Sequence, residues 1–285
     1  MVSVVIAAHN EENVIGRCLD ALRTSGGEDL DITVVANGCS DATAARADRP
    51  GVRVHDLPQP GKAGALNAGD VLAQGFPRLY LDADMTLSGA DVRILAETLN
   101  KDSSLDACAP RRVINLHNRP LAVRAYFGIQ QQLPVYQNGL VGRGAIMLSE
   151  AGRARFAEFP NETADDLYLD ALFAPHASVV VDTVSNVIEA PYTTRDLLRR
   201  LIRVRRGNRQ LRQAELSRAG DTAPIQVRAA DRWSWLRDVV LIRPWWAPAG
   251  VVYASLTICA ARLARRPVND ATWGRDESTR SSLTG

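Results

Sequence analysis

Four short apolar runs, separated by segments of helical periodicity, fill the first 84 residues, and this alternation most limits the folds open to the chain. Ser3-Val-Val-Ile-Ala-Ala8 reads as a buried strand. Val14, Ile15, Cys18, Leu19 and Leu22 then recur at helical spacing, up to a stop at Ser25-Gly26-Gly27. A second strand covers 32–36 and a helix 42–47, with Ser40 or Asp41 as its N-cap. A third strand covers 52–54, a helix 63–73, and a fourth strand begins at Leu79. Strictly alternating strands and helices predict an α/β fold, a mostly parallel sheet with right-handed crossovers. At 285 residues and 46% apolar composition the chain can bury one large core or two small ones.

The fourth run, Leu79-Tyr80-Leu81-Asp82-Ala83-Asp84, ends in two carboxylates one residue apart. Ligands of such sheets bind beyond the carboxyl ends of the strands. Residues i and i+2 of an extended chain share a side. Asp82 and Asp84 can therefore reach one hard cation, Mg²⁺ or Mn²⁺, which would also hold phosphate oxygens. An Asp-rich turn or helix cap is the simpler alternative. The loops after the strands carry His9, Asn10, Glu11, Asn37, Lys62, Asp82 and Asp84. That mixture of amides, carboxylates and one cation suits a nucleotide. Neither a P-loop nor a dinucleotide fingerprint is present. A net charge of +2 gives no reason to expect nucleic acid as a partner. Four scattered cysteines fit a reducing cytosol, and the amino terminus opens on a strand pattern, not on a signal peptide.

The order Val-Val-Ile-Ala-Ala-His-Asn-Glu-Glu, Val-Val-Ala-Asn-Gly-Cys-Ser-Asp-Ala-Thr, Gly-Lys-Ala-Gly-Ala-Leu-Asn-Ala-Gly and Leu-Asp-Ala-Asp, over residues 2–84, resembles glycosyltransferase family 2. The resemblance implies the GT-A fold and a nucleotide-sugar donor. It implies a donor site at Ala8, Asn10, Glu11, Asn37, Lys62, Asp82 and Ala83, with Asp82 and Asp84 as the Asp-x-Asp metal motif. Many members carry two acids where this chain has Ala36-Asn37. Uracil is the expected base, so the donor is a UDP-sugar.

Beyond the fourth strand, 90–99 reads as a helix, 107–110 as a strand and 111–135 as a helical segment over the acceptor side. The glycine-broken stretch 139–148 reads either as a turn into an edge strand or, by the resemblance, as an acceptor-site lining with Gly142, Arg143 and Gly144. A helix starts at the acidic stretch 161–166, where carboxylates also suit a helix amino terminus. The family carries an acid pair at this point, which makes Asp166 the general base and Asp165 its neighbour. Adjacent carboxylates repel, so at least one is expected to have a raised pKa. Strands follow at 179–181 and 187–188.

Residues 195–212 hold eight arginines and one acid on a basic amphipathic helix. A solvated face, a membrane or partner surface, and diphosphate binding compete as readings. The family's Gln-x-x-Arg-Trp motif lies near here, and only Arg203, with Arg206 one turn on, carries over. Residues 213–232 read as a polar linker and those from 268 on as a polar tail. The uncharged stretch 244–261 lies between tryptophans and arginines, and can span a membrane, insert shallowly or pack on the domain.

The expectation is therefore a catalytic domain over 1–212, with a nucleotide-sugar half (1–100) and an acceptor half (101–212). Residues 213–285 add a linker, an apolar helix near 239–264 and the tail. The function expected is inverting, metal-dependent transfer from a nucleotide sugar to a glycan, lipid or small-molecule hydroxyl at the inner face of the cell membrane. A nucleotidyltransferase and a non-catalytic nucleotide-sugar-binding protein are the alternatives.

Overall fold

All four amino-terminal apolar runs are strands in the computed structural model, which describes residues 1–160, 165–173, 176–218 and 231–265. They are β1 (Ser3–Ala8), β2 (Asp31–Asn37), β3 (Val52–Leu57) and β4 (Arg78–Asp82), connected through α1 (Ile15–Leu22), α2 (Thr43–Ala47) and α3 (Lys62–Leu72). The second half runs α4 (Gly89–Lys101), β5 (Ala107–Asn115), α5 (Leu121–Gln130), α6 (Pro134–Asn138), β6 (Ala145–Leu148), α7 (Glu150–Arg153), α8 (Asp165–Phe173), β7 (Ser178–Glu189) and α9 (Thr194–Arg218). A π-helical stretch, Trp235–Val240, and a 3₁₀ turn, Pro244–Trp246, lead into α10 (Ala247–Leu263).

The strands form one sheet in the order β3-β2-β1-β4-β6-β5-β7. β1, β2, β3 and β4 are mutually parallel, and β6 runs antiparallel to both β4 and β5. The chain leaves β1 toward β3 and then returns through α3 to β4 on the other side of β1. The carboxyl ends of β1 and β4 therefore flank a switch point, where α/β sheets place their ligands. Ala7 is paired with Asp82 there, so the strand that ends in the acid motif is held in register with β1.

Both faces of the sheet are covered, which is why the parallel strands read as continuous apolar runs. Ile6, Val34, Leu79 and Leu81 pack against α1 and α4 on one face. Val5, Tyr80 and Ile146 pack with Leu66, Phe159, Tyr168 and Phe173 on the other. Capping is clearest at α4, where Ser88 and Asp91 make a reciprocal box.

The structure corrects several expectations. Residues 111–115 are strand, not helix, because β5 continues beside β7 to Asn115. The strands expected at 179–181 and 187–188 are one element, β7. Its register against β5 jumps between Pro110/Arg111, where proline offers no N–H to the ladder. β6 is an interior strand and not an edge. α2 starts at Thr43, so its N-cap position is Ala42 and neither Ser40 nor Asp41; Asp41, one residue earlier, accepts from the Thr43 N–H at 3.0 Å. The boundary expected at 212/213 falls inside α9. The tail from 268 lies outside the described residues.

α10 lies against the domain with one face. Tyr253 stacks on Tyr126 of α5 with centroids 5.0 Å apart. Gly128 of α5 leaves room for Trp246, whose Cζ3 would sit 2.6 Å from an added Cβ. Val251, Ile258 and, just upstream, Leu241, Ile242 and Trp245 stay exposed. By length and composition, Pro244–Leu263 also suffices to cross a membrane.

Candidate active site

The loops after β1 and β2 are tied together by short polar contacts, which shapes the pocket floor. Asn10 takes a left-handed backbone (φ 53°), which asparagine tolerates, and its Oδ1 accepts from the Ser40 N–H at 2.8 Å. The Glu11 N–H donates to Thr43 Oγ1 at 2.7 Å, and the Ala42 N–H to Glu12 Oε2 at 3.1 Å. His9 Nδ1 donates to the Asn37 carbonyl. The Asn37 side chain is buried and uses both ends of its amide internally. Nδ2 donates to the Ala8 carbonyl at 2.7 Å and Oδ1 accepts from the Gly61 N–H at 3.0 Å. Asn37 is thus a strut that fixes the loop before α3, and its side chain does not offer itself to a base directly. Beside that loop opens a cavity of about 330 Å³ lined by Gln59, Pro60, Gly61 and Gly64.

Lys62, the first residue of α3, joins the two acidic motifs. Its Nζ lies 2.7 Å from Asp82 Oδ1 and 2.9 Å from Asp165 Oδ2. Burial alone would lower the Lys62 pKa, but the Asp165 and Asp82 carboxylates outweigh it and raise it. Asp165 is the deeper acid, its side chain 18% exposed against 40% for Asp82. Burial raises its pKa, and repulsion from Asp166 and Asp82 adds to this against the pull of Lys62. The repulsion expected between neighbouring acids therefore falls on Asp165.

Asp166 points the other way. Its Oδ2 accepts from the Gly142 N–H and its Oδ1 from the Leu167 N–H, both at 2.8 Å. Each oxygen keeps a lone pair for an acceptor hydroxyl. The glycine loop is likewise bound to the first motif, because the Asp82 N–H donates to the Gly144 carbonyl at 2.8 Å. Gly144 has φ +68° and lies under the Met85 side chain. A single glycine segment thus contacts both acid motifs through its backbone.

Arg143, expected to meet the acceptor, is 1% exposed. Its guanidinium donates to the carbonyls of Gly139, Pro110, Tyr136 and Gln137 at 2.5 to 3.2 Å. It braces the loop from within, and burial lowers its pKa to about 10. Arg203 and Arg206 are half-buried on α9. Arg200 of the same helix also carries its charge to Arg112 and Tyr136. The site side chains not anticipated from sequence are Arg112 and Tyr136, which stack at 4.5 Å. The signal for Arg112 was a pair of arginines directly after an apolar run, in the middle of β5; Tyr136 had none.

Asp82 and Asp84 fit a divalent cation by the chemistry of their donors. Asp82 stands at the pocket lip already paired with one cation, the Lys62 ammonium. Both carboxylates add to burial in raising the pKa of the same buried thiol, Cys18, against the pull of Arg17. Among the described residues no three acidic, histidine or cysteine groups could hold a metal. A cation here would complete its shell with phosphate oxygens and water, as Mg²⁺-type sites do.

The glycosyl transferase family 2 model matches residues 3–148. The chain is 32% identical over 113 residues to a chondroitin synthase of Pasteurella multocida, which covers 38% of this chain and 12% of that protein. It is 36% identical over 117 residues to an uncharacterized glycosyltransferase of Mycobacterium tuberculosis, covering 41% of this chain and 51% of that one. The chain thus spans at most about half the length of these relatives. Among solved structures, a mannosyltransferase from Pyrobaculum calidifontis in complex with GDP-Man and Mn²⁺ superposes with a TM-score of 0.64 at 17% identity, over 92% of this chain and 86% of that one. S. aureus TarS 1-349 in complex with UDP gives 0.51 at 13% identity, over 96% and 94%. The family model covers more than half of the residues: the chain belongs to glycosyltransferase family 2 and is a glycosyltransferase of GT-A fold.

Proposed function

We propose that this enzyme transfers a sugar from a nucleoside diphosphate sugar, a UDP-sugar first, to an acceptor hydroxyl with inversion. The observation that carries the proposal is Lys62, whose ammonium draws Asp82 of the first acidic motif and Asp165 of the second to one point. The donor lies along the loops of Ala8, Asn10, Glu11 and Gly61, with its diphosphate at Asp82, Ala83 and Asp84. Asp82 and Asp84 would hold a Mg²⁺ or Mn²⁺, which would supply charge neutralisation to the diphosphate. The Pyrobaculum calidifontis and S. aureus proteins, in complex with GDP-Man and Mn²⁺ and with UDP, support a nucleotide and a divalent cation here.

Asp166, aimed by the Gly142 and Leu167 N–H groups, takes the proton of the acceptor hydroxyl. The acceptor oxygen attacks the anomeric carbon from the face opposite the diphosphate. The bond from that carbon to the diphosphate oxygen breaks, and its electron pair leaves with the nucleotide. Arg203, with Arg206, holds the departing charge, and Lys62 adds a fixed positive charge beside it. The apolar face left exposed by α10 rests on the cytoplasmic face of the cell membrane, which favours an envelope glycan or lipid acceptor.

The test is a thermal-shift screen of nucleotide sugars with and without Mn²⁺, followed by transfer assays of Asp166→Asn with the donor so found. Donor binding is expected to persist in the variant and transfer to fall roughly 1,000-fold. Transfer near the wild-type rate would remove Asp166 from the role of base.

A further inference from the structure

A second cavity, of about 300 Å³, is lined by Arg111, Arg112, Tyr136, Arg143 and Asp182 among others. Gly142, next in sequence to Arg143 of the lining, links this cavity to Asp166. Its N–H holds Asp166, while a Cβ added to it would lie 3.3 Å from Arg112 Nη1 and 4.0 Å from Tyr136 Cε1. The lining residues Arg112 and Tyr136 thus adjoin the residue that holds the proposed base, and the Asp166 charge reaches Tyr136.

The cavity is cationic. Arg112 is half-buried, lies over the Tyr136 ring at 4.5 Å, and donates one long bond, 3.3 Å, to Gln130 Oε1. Among the described residues, the groups acting on its charge are Tyr136, Arg200 and Tyr126, none of them a carboxylate. Burial, with Arg200 adding to it, pushes its pKa down, the mark of a cation short of compensation. Arg111 is exposed beside it and donates to Ser185 Oγ at 3.0 Å. Against these stands one exposed carboxylate, Asp182, on the stretch where β7 breaks register with β5. A partly desolvated guanidinium with a free edge and an aromatic support is suited to grip an oxyanion through paired N–H donors.

We infer that this cavity is the anion subsite of the acceptor, and that the acceptor carries a phosphate group gripped by Arg112 and Arg111 so that its hydroxyl meets Asp166. The inference rests on the reading of Asp166 as base. The phosphate can belong to a soluble ester or to a lipid headgroup, and the two are separable.

The test uses the full chain in EDTA, so that no metal can recruit phosphate to the acid motifs, and titrates inorganic phosphate by calorimetry. Wild type is expected to bind saturably. Arg112→Gln should weaken binding at least tenfold, Arg112→Lys less, and Arg111→Gln about threefold, while Asp82→Asn leaves it unchanged. Arg111 is exposed, so its variant reports even if the Arg112 variants fold poorly. Equal affinity in both glutamine variants, absence of saturable binding, or its loss in Asp82→Asn would overturn the assignment. Displacement of phosphate by phosphatidic acid vesicles, but not by phosphatidylcholine vesicles, assigns a lipid source. Displacement by glycerol phosphate alone assigns a soluble one. If phosphate binding fails while Asp166→Asn still abolishes transfer, the subsite falls and the catalytic reading stands. Intact phosphate binding with undiminished transfer in Asp166→Asn gives the reverse.

Discussion

The Lys62 ammonium and the Asp165 carboxylate lie 2.9 Å apart, although one opens α3 and the other opens α8. The same ammonium holds Asp82 at 2.7 Å, so a single cation opposes the repulsion between two carboxylates. Lys62→Met removes that charge and leaves both acids facing each other. We expect kcat/KM to fall roughly 100-fold, as for loss of one preorganised charge stabiliser, with the donor dissociation constant rising as well. A transfer assay beside donor calorimetry checks this. Unchanged donor affinity would leave Lys62 outside the donor site.

Gly144 combines a left-handed backbone with a carbonyl that accepts from Asp82, and Met85 covers its Cα. An alanine there meets Met85 Sδ at 2.7 Å and strains at φ +68°. Gly144→Ala should cost about 1–2 kcal/mol of stability. It should also loosen the first acid motif, because the loop and Asp82 move together. Denaturant unfolding measures the first effect and Mn²⁺-dependent donor binding the second. A stable variant with normal donor affinity would separate the loop from the motif.

Arg143 is an internal brace, so its loss should appear in folding before it appears in kinetics. Arg143→Ala removes the guanidinium donor of four carbonyls, two of them in buried bonds, at a cost of about 3 kcal/mol. Arg143→Lys should recover little of this, because an ammonium cannot reach four carbonyls spread around a planar fork. Urea unfolding of both variants decides the point. Wild-type stability in Arg143→Ala would return this residue to the acceptor site.

The C-terminal elements offer Leu241, Ile242, Trp245 and Val251 to their surroundings, each more than 60% exposed. With Tyr253 stacked on Tyr126, α10 would have to undock in order to cross a bilayer. We therefore expect peripheral binding to anionic vesicles that alkaline carbonate extracts. Ile242→Glu with Trp245→Glu should weaken it roughly tenfold, the worth of one or two buried apolar side chains. Retention through carbonate would mean that α10 spans the membrane, and vesicle binding unaffected by the two glutamates would place the contact elsewhere.

The chain's primary order determined the parallel half of the sheet. Strands β1 to β4 are apolar because both faces are covered, and helical spacing marks α1 as amphipathic, so local pattern and final fold agree. The position of Asp82 was legible too, since an apolar run that ends in a carboxylate marks the carboxyl end of a strand, and β4 ends there. Past residue 110 local pattern was a poorer guide. The strand at 111–115 looked helical because it is half polar, and its state follows from pairing with β7, a partner distant in sequence. Arg143 and Asn37 read as ligand contacts because exposed polar residues and buried, fully bonded ones look alike in sequence. Only the folded chain shows where their donors go. The meeting of Lys62, Asp82 and Asp165 likewise belongs to tertiary structure, since what joins them is an ion pair across the sheet's edge and no local propensity encodes it.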